Sequence, residues 1–180
     1  QVRILPIARD NEPSLRTAFE LANGADLVIT IGGASVGDHD LVAPVAEKMG
    51  MEQSFYKVAM RPGKPLMAGR LGDMAMVGLP GNPVSAMVCG TIFIAPMIRA
   101  MLGLGRNAAP QRRIALSAPI GTNGPREHYM RGFADASGVR CADQQDSSLL
   151  SVLSQSNVLI ARPSNDPARD IGELVQVVDI

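Results

Sequence analysis

Asp26-Leu-Val-Ile-Thr-Ile31, continuing directly into Gly32-Gly-Ala-Ser-Val-Gly-Asp38, decides the fold. A short apolar run that ends in glycines has the pattern of a parallel strand covered on both faces. Successive glycines after such a strand let backbone N–H groups point at one anionic centre, and Ser35 adds a hydroxyl donor. Gly32, Gly33, Ser35 and Gly37 are therefore candidate phosphate-binding residues. Asp38 and Asp40 follow at once, where bare carboxylates would repel an anion. A divalent cation such as Mg²⁺, bridging carboxylate and phosphate oxygens, resolves that conflict. A tight turn followed by an acidic helix start accounts for the same residues without any ligand.

Upstream, Val2–Ile7 has the length and apolarity of a strand. Asn11-Glu12-Pro13 then opens a helix with Asn as cap, and Leu15, Ala18, Phe19 and Ala22 recur at helical spacing before Gly24 stops it. Downstream, a helix is expected from Leu41 to Met49, and a third strand from Ser54 to Met60. Counting by twos along that strand puts Lys57, Ala59 and Arg61 on one face, so that Lys57 and Arg61 converge. Arg61-Pro62-Gly63-Lys64-Pro65 holds two cations between prolines, which suits a phosphate or oxyanion as well as a solvated surface turn. Leu66–Gly69 and Met74–Gly78 flank a Leu-Gly-Asp turn and predict a hairpin. Gly78-Leu-Pro80-Gly81-Asn82-Pro83 then leads into a helix from Asn82 to Leu102, with Asn82 as cap and Pro83 at the first helical position. That start turns the helix N-terminus, with Ser85 near it, toward an anion.

Strand–helix–strand alternation predicts an α/β domain, a parallel sheet between helices, over residues 1–104. Ligands of such sheets bind at the carboxyl ends of the strands, where the glycine loop lies. After Gly103 the character changes. Residues 105–111 read as a linker. Arg113–Ala118, Glu127–Ala134, Gly138–Ala142, Val158–Ala161 and Glu173–Val178 read as strands, with one short helix at Ser148–Ser154. Residues 112–180 are thus expected to form a small all-β domain.

The chain has 180 residues, 46% apolar and 19% charged, with 17 basic against 17 acidic side chains. Zero net charge gives no support to general nucleic-acid or membrane-surface binding, and 3% aromatics without tryptophan leave no stacking platforms for single strands. Cys89 and Cys141 are far apart without zinc-ligand spacing; Cys89 reads as a small core residue, and a reducing cytoplasm is expected. Ala86–Leu102, the most apolar stretch, carries Arg99 and reads as a buried helix. The two histidines, His39 and His128, lack ligand partners and read as solvated. Ser35 has no recognisable base and no Gly-x-Ser-x-Gly setting, which argues against a hydrolase. Gln1 entering directly on an apolar run suggests a piece of a longer protein.

Taken together, Asp26–Asp40, Lys57–Pro65 and Gly78–Ala86, followed by the β domain, resemble the molybdopterin molybdenumtransferase family. The combination of Gly-Gly-x-Ser-Val-Gly-Asp, Pro-Gly-Lys-Pro and Gly-Leu-Pro-Gly-Asn-Pro-Val-Ser-Ala carries the resemblance over essentially the whole chain. It implies insertion of molybdate into adenylylated molybdopterin with release of AMP, by a Mg²⁺-dependent, cytoplasmic and homodimeric enzyme. By resemblance, Asp10, Asp40, Lys57 and Arg61 would be catalytic, and Pro80, Pro83 and Arg131 would contact substrate; joined to the loop reading, Asp10, Asp38 and Asp40 would hold the metal, and Lys64 and Gly81 would bind phosphate. Where the family often has lysine, this chain has Arg61. The family's upstream threonine, acidic residues and Thr-Gly-Asp-Glu stretch are not in this sequence. Two alternatives stay open: the related molybdopterin adenylyltransferase, and a non-catalytic scaffold module of gephyrin type.

Overall fold

The computed structural model describes residues 1–33 and 41–180. The expectations for Ser35, Gly37, Asp38, His39 and Asp40 lie outside them. By its internal contacts the chain divides into two compact units, Gln1–Val58 with Pro65–Gly81, and Ala59–Lys64 with Asn82–Ile180. The long helix from Pro83 groups with the strands that come after it.

The first unit opens with α1 (Glu12–Leu21). Asn11 caps it by accepting the Ser14 N–H at 2.9 Å, and Leu15 and Phe19 bury the face they share one turn apart. β1 (Leu27–Ile31), α2 (Val42–Lys48), β2 (Met51–Tyr56), β4 (Met67–Leu71) and β5 (Met74–Leu79) follow. They build a four-stranded sheet in the order β1-β5-β4-β2. Leu15, Phe19, Val45, Ala46, Met67 and Met76 belong to the core between helices and sheet. β1 and β5 are parallel, as the α/β reading requires, whereas β4 pairs antiparallel with both β5 and β2. The sheet is therefore mixed, because the β4–β5 hairpin closes tightly around Gly72 and Asp73 and needs no crossover.

Three local expectations change here. Val2–Ile7 forms no strand: no ladder partner meets it among the described residues, and Val2, Ile4 and Ile7 stay exposed. β1 is not covered on both faces: it lies at the edge of the described sheet, with Val28 buried and Ile31 70% exposed. The expected third strand also starts earlier and breaks at Lys57, which takes φ +73°.

In the second unit, β3 (Met60–Arg61), β7 (Glu127–Asp135), β9 (Val158–Arg162), β10 (Leu174–Asp179) and β6 (Arg112–Ala115) form a sheet in that order, and β8 (Gly138–Cys141) adds to β7. The strand periodicity after Gly103 is thus realised nearly element by element. Val158, Ile160, Val175 and Val177 face Leu116, Ile120 and Val139 in one core. The helical stretch Pro83–Met101 consists of α3 (Pro83–Cys89), a π-helical stretch Gly90–Ile94 and α4 (Ala95–Met101). The wide turn is the relief for Pro96, which has no N–H and whose ring would strike the carbonyl one turn back. The stretch is long and apolar enough to cross a membrane by length and composition, though Arg99 interrupts it. It is not the buried helix expected: Met87 is 61% exposed, and only one face (Val84, Val88, Cys89, Ile94) is covered. α5 (Leu150–Ser154) packs on α3.

Candidate functional site

In the first unit, two loops meet at the carboxyl ends of the parallel pair β1 and β5, where Ile31 stands opposite Leu79. Gly32 and Gly33 both take left-handed backbone, at φ +87° and +67°. The Gly32 N–H donates to the Leu79 carbonyl at 3.0 Å, tying the first loop to the end of β5. A Cβ built on Gly81 would stand 3.3 Å from the Gly32 Cα, tighter than side chains ordinarily tolerate. Glycine at both positions thus brings two backbones together with no side chain between them. Pro80, just before, is buried and fixes the approach. Two residues ahead of the loop, the Thr30 hydroxyl is buried without a partner among the described residues. Sequence reasoning missed it, since a threonine in a strand is ordinary.

Lys57 closes this unit's contribution. Its N–H donates to the Leu66 carbonyl at 2.9 Å, and its Nζ lies 5.1 Å from the Tyr56 ring centroid. That cation–π contact, worth about 0.5–1 kcal/mol at an exposed position, holds the ammonium locally. The strand alternation expected to put Lys57 and Arg61 on one face is interrupted. The positive φ at Lys57 ends the alternation that put the two on one face, and Arg61 belongs to β3 of the second unit.

In that second unit, the Arg61–Pro65 loop is built onto α3. The Arg61–Pro62 peptide is cis. Gly63 takes φ +106° and is buried against Cys89, whose Sγ lies 3.9 Å from the Gly63 carbonyl oxygen. Cys89 is accordingly a packing residue, as expected, and burial pushes its thiol up to about 12. Lys64 and Arg61 remain exposed on either side. At the start of α3, Asn82 Oδ1 accepts the Ser85 N–H at 3.0 Å, and Ser85 itself is buried. The expected cap is present, and it occupies one of the N–H groups proposed for an anion.

Arg131 and His128 sit on β7, both buried. The side-chain amide of Gln145 holds the Arg131 backbone at both ends, donating to its carbonyl and accepting its N–H, each at 2.9 Å. Arg131 Nη1 donates to the carbonyls of Asp146 (3.0 Å) and Leu149 (3.3 Å), at the approach to α5. Its Nε is buried with no partner among the described residues. His128 corrects the sequence reading. It is 6% exposed rather than solvated, because it stands in register between Arg61 of β3 and Arg162 of β9. Burial first, then the charges of Arg61, Arg131, Arg162 and Arg126, push its imidazole down to about 4, so it is neutral near pH 7. Arg162, 1% exposed, is answered by Asp166 and by the carbonyls of Gly121 and Pro167.

Asp10 stands exposed in a bend just before the Asn11 cap. No group of three His, Cys, Asp or Glu side chains is gathered for a metal among the described residues.

Residues 1–100 match the family described as "Probable molybdopterin binding domain", and residues 113–180 match "MoeA C-terminal region (domain IV)". The chain is 35% identical to molybdopterin molybdenumtransferase of Haemophilus influenzae, over 96% of this chain and 44% of that one. It is 30% identical to the Bacillus subtilis protein of the same name, over 96% and 41%. The molybdopterin biosynthesis moea protein from Pyrococcus horikosii superposes with a TM-score of 0.78 at 25% identity, over 96% of this chain and 42% of that one. The chain therefore spans less than half the length of these relatives.

Proposed function

The chain belongs to the molybdopterin-binding family of molybdenum cofactor biosynthesis, and from that premise we propose that it serves a molybdopterin molybdenumtransferase, inserting molybdate into adenylylated molybdopterin with release of AMP. One observation carries the reading: the bared backbones of Gly32 and Gly81 meet at the carboxyl ends of β1 and β5, the ligand end of an α/β sheet. The match of residues 113–180 to the MoeA C-terminal region favours this reading over an adenylyltransferase, for which no trailing β domain is expected.

In this proposal the amides of the Gly32–Gly37 loop and of Gly81–Asn82 receive phosphate oxygens, with Ser35 adding a hydroxyl. Lys57, Arg61, Lys64 and Arg131 neutralise the pyrophosphate and the incoming oxyanion. Pro80 and Pro83 fix the loop that presents Gly81, and the α3 cap formed by Asn82 and Ser85 keeps the helix start in place. Positioning and charge stabilisation supply the catalysis, and no covalent enzyme intermediate is required. Asp10, Asp38 and Asp40 are oxygen donors of the kind Mg²⁺ takes, and they would hold it. When bound, the ion would supply charge neutralisation of phosphate oxygens. The domain division at 105–111, the cytoplasmic location and the homodimer belong to the same proposal and rest on the family resemblance.

Calorimetric titration of AMP with and without Mg²⁺, repeated with Asp40→Asn, tests it. Mg²⁺-dependent binding that disappears in the variant is the expected result. AMP binding that ignores both the metal and the substitution would remove Asp40 and the metal from the reading.

A further inference from the structure

We propose that His128 is an oxyanion-binding residue, its imidazole taking up a proton as a tetrahedral oxyanion binds beside Arg61. The inference rests on the functional reading above and adds to it a residue that neither the sequence nor the family match supplied.

The placement comes from the sheet. Arg61, His128 and Arg162 are register partners across β3, β7 and β9, so their side chains leave neighbouring strands side by side. Adjacent strands lie about 4.8 Å apart, which puts the imidazole within reach of a group held by Arg61. The His128 ring makes no side-chain hydrogen bond to a described residue, and its nitrogens are not among the fully buried unpartnered polar atoms, so a small solute can reach them although the residue is only 6% exposed.

The charges around it all have one sign. Arg61 on β3, Arg162 on β9, Arg131 on β7 itself and Arg126 just ahead of β7 act on it. Of these, only Arg162 makes a direct ion pair, with Asp166, which it shares with Arg169; the Asp146 carboxylate acts on Arg131 and Arg61 from farther away. The hydrogen bonds of the Arg131 guanidinium go to carbonyls, and its Nε has no partner among the described residues. Arg61 has no ion pair among the described residues. A dianion entering such a cluster lowers the cost of a charged imidazole, and the proton, drawn from solvent, then turns both ring nitrogens into donors. Proton and anion binding must promote each other by the same factor. The sign follows: with the bound-state pKa above the free one, the added affinity is present in full at low pH and fades as pH rises through the bound-state value.

The test uses the whole chain carrying His39→Gln, which leaves His128 as the one imidazole resonance. Its NMR titration is followed with and without sulfate, a dianion throughout the range, and with AMP as a second arm; calorimetry reports whether each binds. The expected result is an imidazole pKa at least one unit higher with ligand. One unit corresponds to about a tenfold loss of affinity toward high pH, which His128→Gln abolishes. If sulfate or AMP binds and the imidazole titrates unchanged, the proposal is overturned while the oxyanion site stands. If neither binds at any pH, both fall. A shift with AMP but not sulfate supports a nucleotide phosphate as the ligand, and the reverse a free oxyanion.

Discussion

Replacing Gly63 by alanine asks whether the Arg61–Pro65 loop is truly locked to α3. At φ +106° an L-residue carries backbone strain of about 1–3 kcal/mol. The new Cβ would also stand 2.5 Å from Cys89 Sγ, inside any real contact distance. Overpacking of that kind costs about 1–3 kcal/mol more, so a total near 4 kcal/mol is expected. The two contributions separate in a cycle. Cys89→Ala removes the struck atom at a cost of about 1 kcal/mol for the lost buried group. The double variant should therefore keep the backbone strain but lose the clash, coming out about 1–2 kcal/mol more stable than additivity allows. Urea denaturation of the four proteins reads this directly. A Gly63→Ala protein within about 0.5 kcal/mol of the parent, or a cycle that closes additively, would refute the lock.

Three further outcomes are expected. Asp166→Asn should cost about 3–5 kcal/mol in the same assay, because it leaves the buried Arg162 uncompensated, and Arg162→Met together with Asp166→Asn should recover much of that loss. His128 is neutral in the folded chain down to about pH 4, whereas the unfolded chain takes up the proton near pH 6.5; its contribution to stability is therefore full above pH 6.5 and declines from there toward pH 4. With solvent screening allowed for, the decline amounts to at most about 2 kcal/mol, and His128→Gln should flatten that part of a stability–pH curve. Gly81→Ala puts a methyl where the two glycine loops touch, so the fold should persist by circular dichroism while AMP affinity falls more than tenfold; unchanged affinity would count against the loops as the phosphate seat.

What could be read in the sequence was what local chemistry dictates. Asn11 and Asn82 cap the helices they were expected to cap, and the strands after Gly103 announced themselves by alternation between turn residues. What escaped was decided by pairing. Val2–Ile7 is apolar enough for a strand, but a strand exists only against a neighbour. Ser54–Met60 looked continuous because nothing in its composition reveals the left-handed backbone at Lys57. In the glycine-rich motifs, Gly32 and Gly63 take left-handed backbone and Gly81 comes close to Gly32, as such residues in loops suggest. His128 could not be found that way: its meaning comes from Arg61 and Arg162, which lie 67 and 34 positions away in the chain and meet it only through the sheet.

The two residues of β3 carry a lesson about how this chain can be divided. Between Val58 and Pro65 the polypeptide leaves one unit, lends Met60 and Arg61 to the sheet of the other, and returns. The Glu127 N–H consequently depends on the carbonyl of Ala59 at 3.0 Å, across 68 residues of sequence. A gene cut at residues 105–111, the place where sequence similarity itself divides, would yield a C-terminal piece with an open edge on β7 and an imidazole stripped of one neighbour. Such a piece invites self-pairing along that edge. Inheritance and folding thus draw different borders through this chain, and any shuffling of its parts has to respect the second.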